Sequence, residues 1–327
     1  MSGQADIRSA LVTGATGFAG AWVAGALLGR GSRVVTIERD LPDRTSLELL
    51  GLTGRVSVVP GDIRDAEACA RAIGEYEVDT VFHLAAQTIV GTAKRSPVGT
   101  FDSNIRGTWT LLEACRIHDV ARTVVASSDK AYGAHDQLPY REDFALQPIY
   151  PYDVSKAATD MIARSYWHTY GLPVAVTRFA NLYGGGDLNF SRLVPEATTA
   201  ALDGRAPVIR SDGTPERDFL YVDDAAAAYL AIADALDGPA RGHAFNAGGD
   251  EPHAVADVVA RICAVAGTDV EPDVRGTGNP EAEIDRQFVD SAKLRELTGW
   301  RPQVGLVDGL GRTVEWYRSH PDVRPQA

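Results

Sequence analysis

A glycine-rich turn between a strand-like and a helix-like stretch places the strongest constraint on the fold of this chain. In LVTGATGFAG, Gly14, Gly17 and Gly20 follow the apolar residues of SALVTG and lead into the helix-like GAWVAGALLGRG. Glycine permits a tight turn and lets a pyrophosphate approach the backbone, while the helix N-terminus offers free N–H groups. The turn therefore predicts a dinucleotide site, to which Thr16 and Phe18 also belong.

Strand-like and helix-like stretches continue to alternate up to Gly184. The strand-like stretches are RVVTIER, RVSVVPGD, DTVFHLAA, RTVVASS and PVAVTRFANLYG, the last of which is predicted as one sixth strand. The helix-like stretches include AEACARAIGEY, SNIRGTWTLLEACRIHD and SKAATDMIARSYWHTYG. This alternation predicts an α/β fold of the Rossmann type, in which a doubly wound parallel sheet carries helices on both faces.

The alternation stops after Gly184, and this break suggests a division of the chain. Residues 1–184 are predicted to form the NAD-binding Rossmann domain, to which residues 217–248 return as strand, helix and strand. Residues 185–216 and 249–327 are predicted to form a smaller C-terminal substrate lobe. The ligand site is then expected beyond the carboxyl ends of the strands, between the two parts.

Composition excludes several classes of function. The 327 residues carry a net charge of -12, which argues against a general nucleic-acid surface. No run approaches the ~18 apolar residues of a membrane span, and the N-terminal residues are not expected to be a secretion signal. Cys69, Cys115 and Cys263 are far apart and predict reduced thiols in a cytoplasmic protein. The seven histidines show no ligand spacing with a cysteine, so no metal is expected.

The end of the second strand-like stretch bears on the choice of dinucleotide. Glu38 can accept hydrogen bonds from both ribose hydroxyls of NAD and repels a 2′-phosphate. The adjacent Arg39 is either a partner for such a phosphate, as in NADP, or a solvated surface charge. We predict NAD as the cofactor. Asp62 and Ile63, in the sequence GDI, either border the adenine or form a simple turn.

A tyrosine and a lysine lie four residues apart in YPYDVSKAATD. This spacing places Tyr152 and Lys156 on one face of a helix, and Pro151 suits the first position of that helix. An ammonium near a phenol is expected to lower the pKa of the tyrosine from about 10 toward the working range. Such a tyrosine can move a proton on or off a sugar hydroxyl while a nicotinamide exchanges hydride. The alternative is an exposed tyrosine beside a solvated lysine.

A series of motifs along nearly the whole chain resembles the extended short-chain dehydrogenase/reductase family, in the branch that modifies nucleotide sugars. The motifs are TGATGFAG, GDIRD, VFHLAAQ, NIRGTWTLLEAC, SSDKAYG, YDVSK, RFANLYGGG and RDFLYVDDAAAAYL. The resemblance implies a redox triad of Ser128, Tyr152 and Lys156, which acts with NAD on a nucleotide-diphosphate sugar. It also implies a homodimer in which helices near 103–118 and 155–170 form a four-helix bundle. The apolar stripes of these helices are otherwise explained as sheet-facing core.

Within this family, the residues after the triad serine distinguish the reactions. The pair Asp129–Lys130 resembles that of CDP-glucose 4,6-dehydratases, and the resemblance implies that Asp129 protonates the leaving C6 hydroxyl. Lys130 stands where the C5 base usually stands, but a charged lysine cannot accept a proton. If Lys130 is the base, burial must lower its pKa. Otherwise Lys130 orders a water or stabilises an enolate, and Tyr152 or another group removes the proton. Alternatively, Asp129 and Lys130 pair with each other or a neighbour and only shape the strand end.

Further binding residues are expected at the ends of other strands. Gln87 and Thr88 follow the fourth strand and border the nicotinamide or the sugar, although Gln87 could equally bond a backbone group. The same loop supplies three more cofactor contacts, namely Leu84, Ala85 and Ala86.

The diphosphate of the substrate also has candidate partners. Asn181 resembles the family asparagine that contacts this group. Arg217 and Arg286 fit family motifs and are candidates for charge-assisted hydrogen bonds to it, although each alone would be interpreted as a surface arginine. Arg192 is a further candidate for substrate binding.

These features together predict an NAD-dependent nucleotide-sugar 4,6-dehydratase. Such an enzyme oxidises C4, removes water across C5 and C6, and returns hydride to C6. The alternative is an NAD-dependent nucleotide-sugar epimerase, for example a UDP-sugar 4-epimerase. A remote alternative is a non-catalytic NAD-binding regulator on the same fold, against which the intact Ser128, Tyr152 and Lys156 argue.

Overall fold

A parallel sheet of seven strands forms the centre of the computed structural model, which describes residues 4–40, 42–277 and 284–325. With strands numbered along the chain, the sheet contains β1 (Ser9–Thr13), β2 (Arg33–Glu38), β3 (Val56–Pro60), β4 (Thr80–His83), β5 (Arg122–Ala126), β6 (Val174–Phe179) and β10 (Ala244–Ala247). Their order across the sheet is β10-β6-β5-β4-β1-β2-β3. The predicted doubly wound Rossmann-type fold is therefore confirmed, with β1 and β4 adjacent where the strand order reverses direction.

Helices cover both faces of this sheet. In chain order, the helices are α1 (Phe18–Gly29), α2 (Ser46–Leu49), α3 (Ala66–Glu75), α4 (Val90–Arg95), α5 (Pro97–Phe101), α6 (Gly107–Ile117), α7 (Pro151–Tyr170), α8 (Leu193–Leu202), α9 (Val222–Asp234), α10 (Val255–Ala266), α11 (Ala292–Thr298) and α12 (Leu306–Ser319). In β1, Leu11 packs with side chains of α3, α6 and α7, whereas Val12 packs with those of α1 and α9. Because successive strand side chains point to opposite faces, a sheet covered on both sides needs strands that are apolar throughout. Of the helices that the structure describes, none is long and apolar enough to cross a membrane.

The stretch PVAVTRFANLYG, predicted as one strand, forms two strands in different sheets. β6 lies in the central sheet between β5 and β10, and β7 (Asn181–Tyr183) pairs in parallel with β9 (Glu216–Tyr221). The Ala180 N–H still donates to the Ala247 carbonyl, at 2.9 Å, but β10 ends at Ala247. The chain beyond Ala180 therefore has no further partner on that side and crosses to β9.

Short strands and three helices build the C-terminal part. The remaining strands are β8 (Val208–Ile209), β11 (Pro252–Ala254), β12 (Asp273–Val274) and β13 (Arg286–Gln287). β9 pairs with β7, β11 and β13, β8 pairs with β12, and α8, α10 and α12 share a third apolar core. Residues 217–248 were predicted to return to the Rossmann domain. Within this stretch, β10 joins the central sheet and α9 packs on it, whereas β9 lies in the small sheet. The boundaries of the two domains stay a prediction.

A buried ion pair ties α7 to β6 beneath the carboxyl edge of the sheet. The Arg178 guanidinium donates to both carboxylate oxygens of Asp160, at 2.7 and 3.1 Å, and to the Tyr132 hydroxyl at 2.9 Å. Arg178 and Asp160 are 1% and 0% exposed, so neither charge can be solvated if its partner is lost. Tyr132 ends the 3₁₀ turn Asp129–Tyr132 that follows β5. The pair therefore joins β6 to α7, which carries Tyr152 and Lys156, and to the turn that carries Asp129.

We expect Asp160→Asn to lower the free energy of unfolding by about 3–5 kcal/mol, because it leaves the Arg178 charge buried without a carboxylate. Urea denaturation followed by circular dichroism measures the change. The control is Asp143→Asn, which removes the exposed ion pair to Arg141 and should leave the midpoint unchanged. Equal midpoints for the two variants would show that the buried pair does not support this region.

Candidate active site

One large cavity lies at the carboxyl ends of the central strands and has a volume of about 1350 Å³. It extends from the glycine turn across the ends of β4 and β5 to α8 and β9. With the exception of Arg286, every residue predicted for catalysis or binding lies on its wall. These residues are Gly14, Thr16, Gly17, Phe18, Gly20, Glu38, Arg39, Asp62, Ile63, Leu84, Ala85, Ala86, Gln87, Thr88, Ser128, Asp129, Lys130, Tyr152, Lys156, Asn181, Arg192 and Arg217.

The glycine turn forms a cradle that side chains would fill. Gly14 adopts φ +74°, and a Cβ added at Gly20 would lie 2.1 Å from the Gly14 carbonyl oxygen. Gly17 occupies the cap position of α1, and no side chain caps the N–H groups of the first turn. An open turn below free helix N–H groups fits a pyrophosphate, so the residues present fit a dinucleotide.

Glu38 and Arg39 face different partners at the end of β2. The Glu38 carboxylate accepts hydrogen bonds from the hydroxyls of Thr36 and Thr16, at 2.7 and 2.9 Å, and burial raises its pKa. The Arg39 guanidinium pairs with Asp40 at 2.6 Å and lies 3.8 Å from Asp62. Each Glu38 oxygen has one hydroxyl partner and retains a second lone pair, which suits a ribose hydroxyl. Arg39, already held by carboxylates, is less available to a phosphate.

The GDI sequence forms the adjacent wall. The Asp62 carboxylate accepts three hydrogen bonds from Arg64, which lower its pKa. Ile63 packs against Gly107 of α6, where an added Cβ would lie 2.6 Å from the Ile63 side chain. This segment is therefore both a braced turn and part of the cavity wall.

Gln87 organises the loop after β4 through backbone groups, which was one of the two predicted alternatives. Its side-chain amide donates to the Ile89 carbonyl at 3.0 Å, and its backbone N–H donates to the Asn104 side chain at 2.7 Å. Asn104 in turn donates to the Ser155 hydroxyl at 2.9 Å, and Ser155 donates to the Tyr152 carbonyl at 2.6 Å. This chain of bonds links the loop after β4 to the first turn of α7. Asn104 was not predicted as a site residue, although it is the first residue of the motif NIRGTWTLLEAC.

Ser128, Asp129 and Lys130 lie together where β5 ends. The Ser128 hydroxyl donates to one Asp129 carboxylate oxygen at 3.0 Å and accepts the Lys130 N–H at 3.2 Å. Within the described residues, the other Asp129 oxygen is buried without a hydrogen-bond partner, and burial raises the Asp129 pKa. The Lys130 ammonium lies 3.5 Å from the side-chain oxygen of Gln287, which the sequence did not point to. Asp129 is thus set in an environment that favours its protonated form.

Tyr152 and Lys156 are both buried on one face of α7, with Pro151 at the helix start. The Lys156 ammonium donates to the Ala126 carbonyl at 2.8 Å, and burial lowers its pKa to about 8. The charge of Arg192 favours the Tyr152 phenolate, but burial outweighs it and raises the Tyr152 pKa. The expected lowering of the Tyr152 pKa by Lys156 is therefore wrong for the chain by itself, since desolvation of the phenol is the larger effect.

Asp153 is an acidic residue of the site that sequence reasoning missed. It follows Tyr152 in the first turn of α7, is 5% exposed, and lies on the cavity wall. Burial raises its pKa to about 6, although the charge of Lys130 acts in the opposite direction. An acidic residue in a first helical turn has an ordinary explanation in the helix dipole, so YDVSK alone did not single it out.

The candidate diphosphate residues are divided between the cavity and the surface. Asn181 donates to the Asp218 carbonyl at 3.2 Å, and the Arg217 guanidinium, 8% exposed, donates to the backbone carbonyls of Glu216 and Asp285. The arginine at the start of α8 binds a buried carboxylate (Arg192 to Asp187, 3.0 Å). Arg286 is not part of the cavity wall, because its guanidinium pairs at the surface with Glu216 at 2.6 Å.

Curated relatives of this chain include dehydratases of nucleotide sugars. A dTDP-glucose 4,6-dehydratase of Streptomyces griseus is 33% identical over 316 residues, which cover 95% of this chain and 94% of that protein. A trifunctional UDP-glucose 4,6-dehydratase/UDP-4-keto-6-deoxy-D-glucose 3,5-epimerase/UDP-4-keto-L-rhamnose-reductase of Arabidopsis thaliana is 31% identical over 323 residues, or 96% of this chain. The chain spans about half of that relative's length, 48%.

Solved structures of both dehydratases and epimerases are similar to this fold. A UDP-glucose 4-epimerase of Thermotoga maritima with UDP-glucose has a TM-score of 0.88 and 30% identity, and the match covers 96% of this chain and all of that one. A dTDP-glucose 4,6-dehydratase of Streptomyces venezuelae, solved with NAD and TYD bound, has a TM-score of 0.87 and 31% identity, with coverage of 96% and 98%.

A family model covers most of the chain. The model of the NAD dependent epimerase/dehydratase family matches residues 10–248, which include the glycine turn, the triad and the returning strand β10. This match and the cradle for a dinucleotide agree, and the chain belongs to the NAD-dependent epimerase/dehydratase family, with NAD as its cofactor.

Proposed function

We propose that this chain is a nucleotide-sugar 4,6-dehydratase that depends on NAD. The proposal rests on the environment of Asp129. This carboxyl is buried, its pKa is raised, and one of its oxygens has no hydrogen-bond partner in the described structure. It lies beside the Ser128 hydroxyl, on the wall that also holds Tyr152 and Lys156. A carboxylic acid held protonated beside a redox triad can expel a hydroxyl group as water, a step that epimerisation does not need. The dTDP-glucose 4,6-dehydratases among the relatives support this reading.

The first step removes a proton from the O4 hydroxyl and a hydride from C4. NAD, when bound, supplies the hydride acceptor for C4 and the later hydride donor for C6. Tyr152 takes the proton of the O4 hydroxyl, with Ser128 orienting that hydroxyl. Lys156, whose pKa is about 8, favours the Tyr152 phenolate once both are enclosed with the sugar.

Water loss then requires an acid at O6, and Asp129 fills this role. Its proton leaves with the C6 hydroxyl as water, so Asp129 ends the step ionised. The Ser128 hydroxyl is hydrogen-bonded to Asp129 and lies beside Tyr152. The proton that Tyr152 took from O4 can therefore reach Asp129 through Ser128, and this transfer restores both groups for the next turnover.

The cofactor and substrate are proposed to occupy opposite ends of the cavity. At the NAD end lie the glycine turn, the Glu38 carboxylate at the ribose, and the wall formed by Asp62, Ile63 and the loop after β4. At the other end, Asn181, Arg192 and Arg217 are proposed to contact the diphosphate, and Thr88 the sugar. Arg286 would need to leave its pair with Glu216 to take part.

Incubation with CDP-, UDP-, dTDP- and GDP-glucose tests the proposed reaction. We expect a 4-keto-6-deoxy product, lighter than its substrate by one water, from at least one of the four, as measured by mass spectrometry. A product of unchanged mass would instead establish the epimerase, which the likeness to a UDP-glucose 4-epimerase favours. Absence of any product, with no bound or bindable NAD, would contradict both enzymes.

The same assay tests the acid assignment. Asp129→Asn should slow water loss by about 10²–10⁴-fold, because general acid catalysis contributes about that factor, while oxidation at C4 continues. Dehydration by Asp129→Asn at the wild-type rate would show that another group protonates the C6 hydroxyl.

The glycine cradle predicts a specific sensitivity of NAD binding. Gly20→Ala places a methyl group against the Gly14 carbonyl, and overpacking against backbone costs about 1–3 kcal/mol. NAD affinity, measured by calorimetry, should therefore fall about 10-fold or more. Gly29→Ala, in the same helix with open space around its Cβ, is the control and should bind NAD normally. Equal affinity of the two variants would place the pyrophosphate elsewhere.

We further propose that the chain forms a homodimer through α6 and α7. Both helices expose large apolar side chains, among them Trp109 and Ile117 on α6 and Met161 and Tyr170 on α7, each 46–64% exposed. In light scattering, Met161→Lys should convert the dimer to a monomer, since it places a charge within the buried bundle. Val307→Lys, on the exposed part of α12, should not. A Met161→Lys protein that stays dimeric would exclude this interface.

A further inference from the structure

The proposed dehydration needs a base at C5, and neither residue after the triad serine can supply it. Asp129 must be protonated to serve as the acid at O6, so it cannot also accept a proton in the same step. Lys130, in its charged form, has no lone pair to offer. The base must therefore come from another part of the cavity wall.

The chemistry of the sugar restricts where this base can lie. C5 is bonded to both C4 and C6, and Tyr152 and Asp129 serve the oxygens of those two carbons. A group that reaches the C5 proton must then lie within reach of the space between Tyr152 and Asp129. Asp153 meets this condition, since it lies with Tyr152, Asp129 and Lys130 on the cavity wall, and its charge interacts with those of Asp129 and Lys130.

Other carboxylates on the described cavity wall are committed elsewhere. Glu38 accepts hydroxyl hydrogen bonds beside the glycine turn, Asp40 pairs with Arg39, and Asp62 is held by Arg64. Glu196 accepts the Val208 N–H in the C-terminal part, at 3.3 Å. Asp153 is 5% exposed, and its carboxylate makes no hydrogen bond with any residue that the structure describes. It is therefore available to a substrate atom.

We propose that Asp153 is the general base that removes the C5 proton, and that Lys130 is a positioning residue whose charge acts on this carboxylate. The inference rests on the proposed 4,6-dehydratase function. With a pKa of about 6, Asp153 is ionised at neutral pH and still basic enough to take a proton. The wrong charge of Lys130 for a base is thereby explained, since the lysine acts on the base through its charge rather than replacing it.

The elimination balances with these assignments. After C4 is oxidised, the carbonyl acidifies the C5–H bond, and the Asp153 carboxylate takes the proton. The electron pair forms the C5–C6 double bond as the C6–O bond breaks, and Asp129 donates its proton to the departing hydroxyl. When hydride returns to C6, protonated Asp153 gives its proton back to C5, so Asp153 is regenerated within one turnover.

Deuterium exchange at C5 separates this role from the others. In deuterated buffer, recovered substrate and product are analysed by NMR for deuterium at C5, and reduction of bound NAD is followed by absorbance. Asp153→Asn should lose C5 exchange by at least about 100-fold while still reducing NAD. Asp129→Asn should keep C5 exchange and lose only the release of water, since its defect lies after proton removal.

Two further variants control for structural effects. Asp257 occupies the third position of α10, as Asp153 does in α7, and is exposed. Asp257→Asn should leave all rates unchanged, so a loss confined to Asp153→Asn is not a helix-dipole effect. Lys130→Met should shift the acid limb of the kcat/KM profile to higher pH, because the ammonium lowers the Asp153 pKa. Besides Lys130, the charged groups that act on Asp153 are Lys94 of α4 and Asp129.

Each outcome decides the assignment. C5 exchange by Asp153→Asn near the wild-type rate overturns it, and so does a joint loss of exchange and NAD reduction in a variant that binds NAD. If Asp153→Asn fails to bind NAD, Asp153→Glu decides, because retained exchange supports a carboxylate base and lost exchange contradicts it. A wild-type protein that makes no 4-keto-6-deoxy product refutes the proposed function instead.

Discussion

The site depends on one constraint, the shared direction of the seven central strands. Because every strand of a parallel sheet ends at the same edge, the glycine turn after β1, the loop after β4 and the 3₁₀ turn after β5 converge without any local sequence relation. The reversal of strand order between β1 and β4 opens the space between them. Residues from Gly14 to Arg217 thus share one cavity, although they are spread over most of the chain.

Desolvation is the cost of this arrangement, and the surrounding contacts offset it. Lys156, a buried ammonium, is held by the Ala126 carbonyl, and its own carbonyl accepts the Ser127 hydroxyl at 2.8 Å. These two bonds fix α7 against the end of β5. The fully buried ion pair of Arg178 with Asp160 fixes α7 to the neighbouring strand β6. The pKa values of Asp129, Tyr152 and Lys156 are therefore set by rigid neighbours rather than by solvent, which preorganises the groups for proton transfer.

The fold and most of the cavity wall could be predicted from sequence because both follow local rules. Alternation of apolar strands and helices, glycines where a Cβ would collide, and the spacing of Tyr152 and Lys156 are all readable without a tertiary contact. The division of PVAVTRFANLYG between two sheets could not be predicted from the sequence, because it depends on where the distant strand β10 ends. The raised Tyr152 pKa was missed for the same reason, because spacing shows a neighbouring charge but not the extent of burial. Arg286 matched a motif, yet its ion pair with Glu216 of β9 is set by a pairing between strands far apart in sequence.

The position of Lys130 shows how such tertiary contacts change the meaning of a motif. In sequence, the lysine that follows Asp129 stands where a base is expected but carries the wrong charge. In the fold, the first turn of α7 brings the Asp153 carboxylate to the same cavity wall, where the charge of Lys130 acts on both carboxyls. Two neighbouring carboxyls that both interact with one ammonium need not have the same protonation state, because the charge of one raises the pKa of the other. In the proposed reaction, Asp129 holds the proton and Asp153 accepts one. An acid and a base can therefore be brought to one cavity wall by two segments, the turn after β5 and the first turn of α7, that are separated by more than a helix length in the sequence.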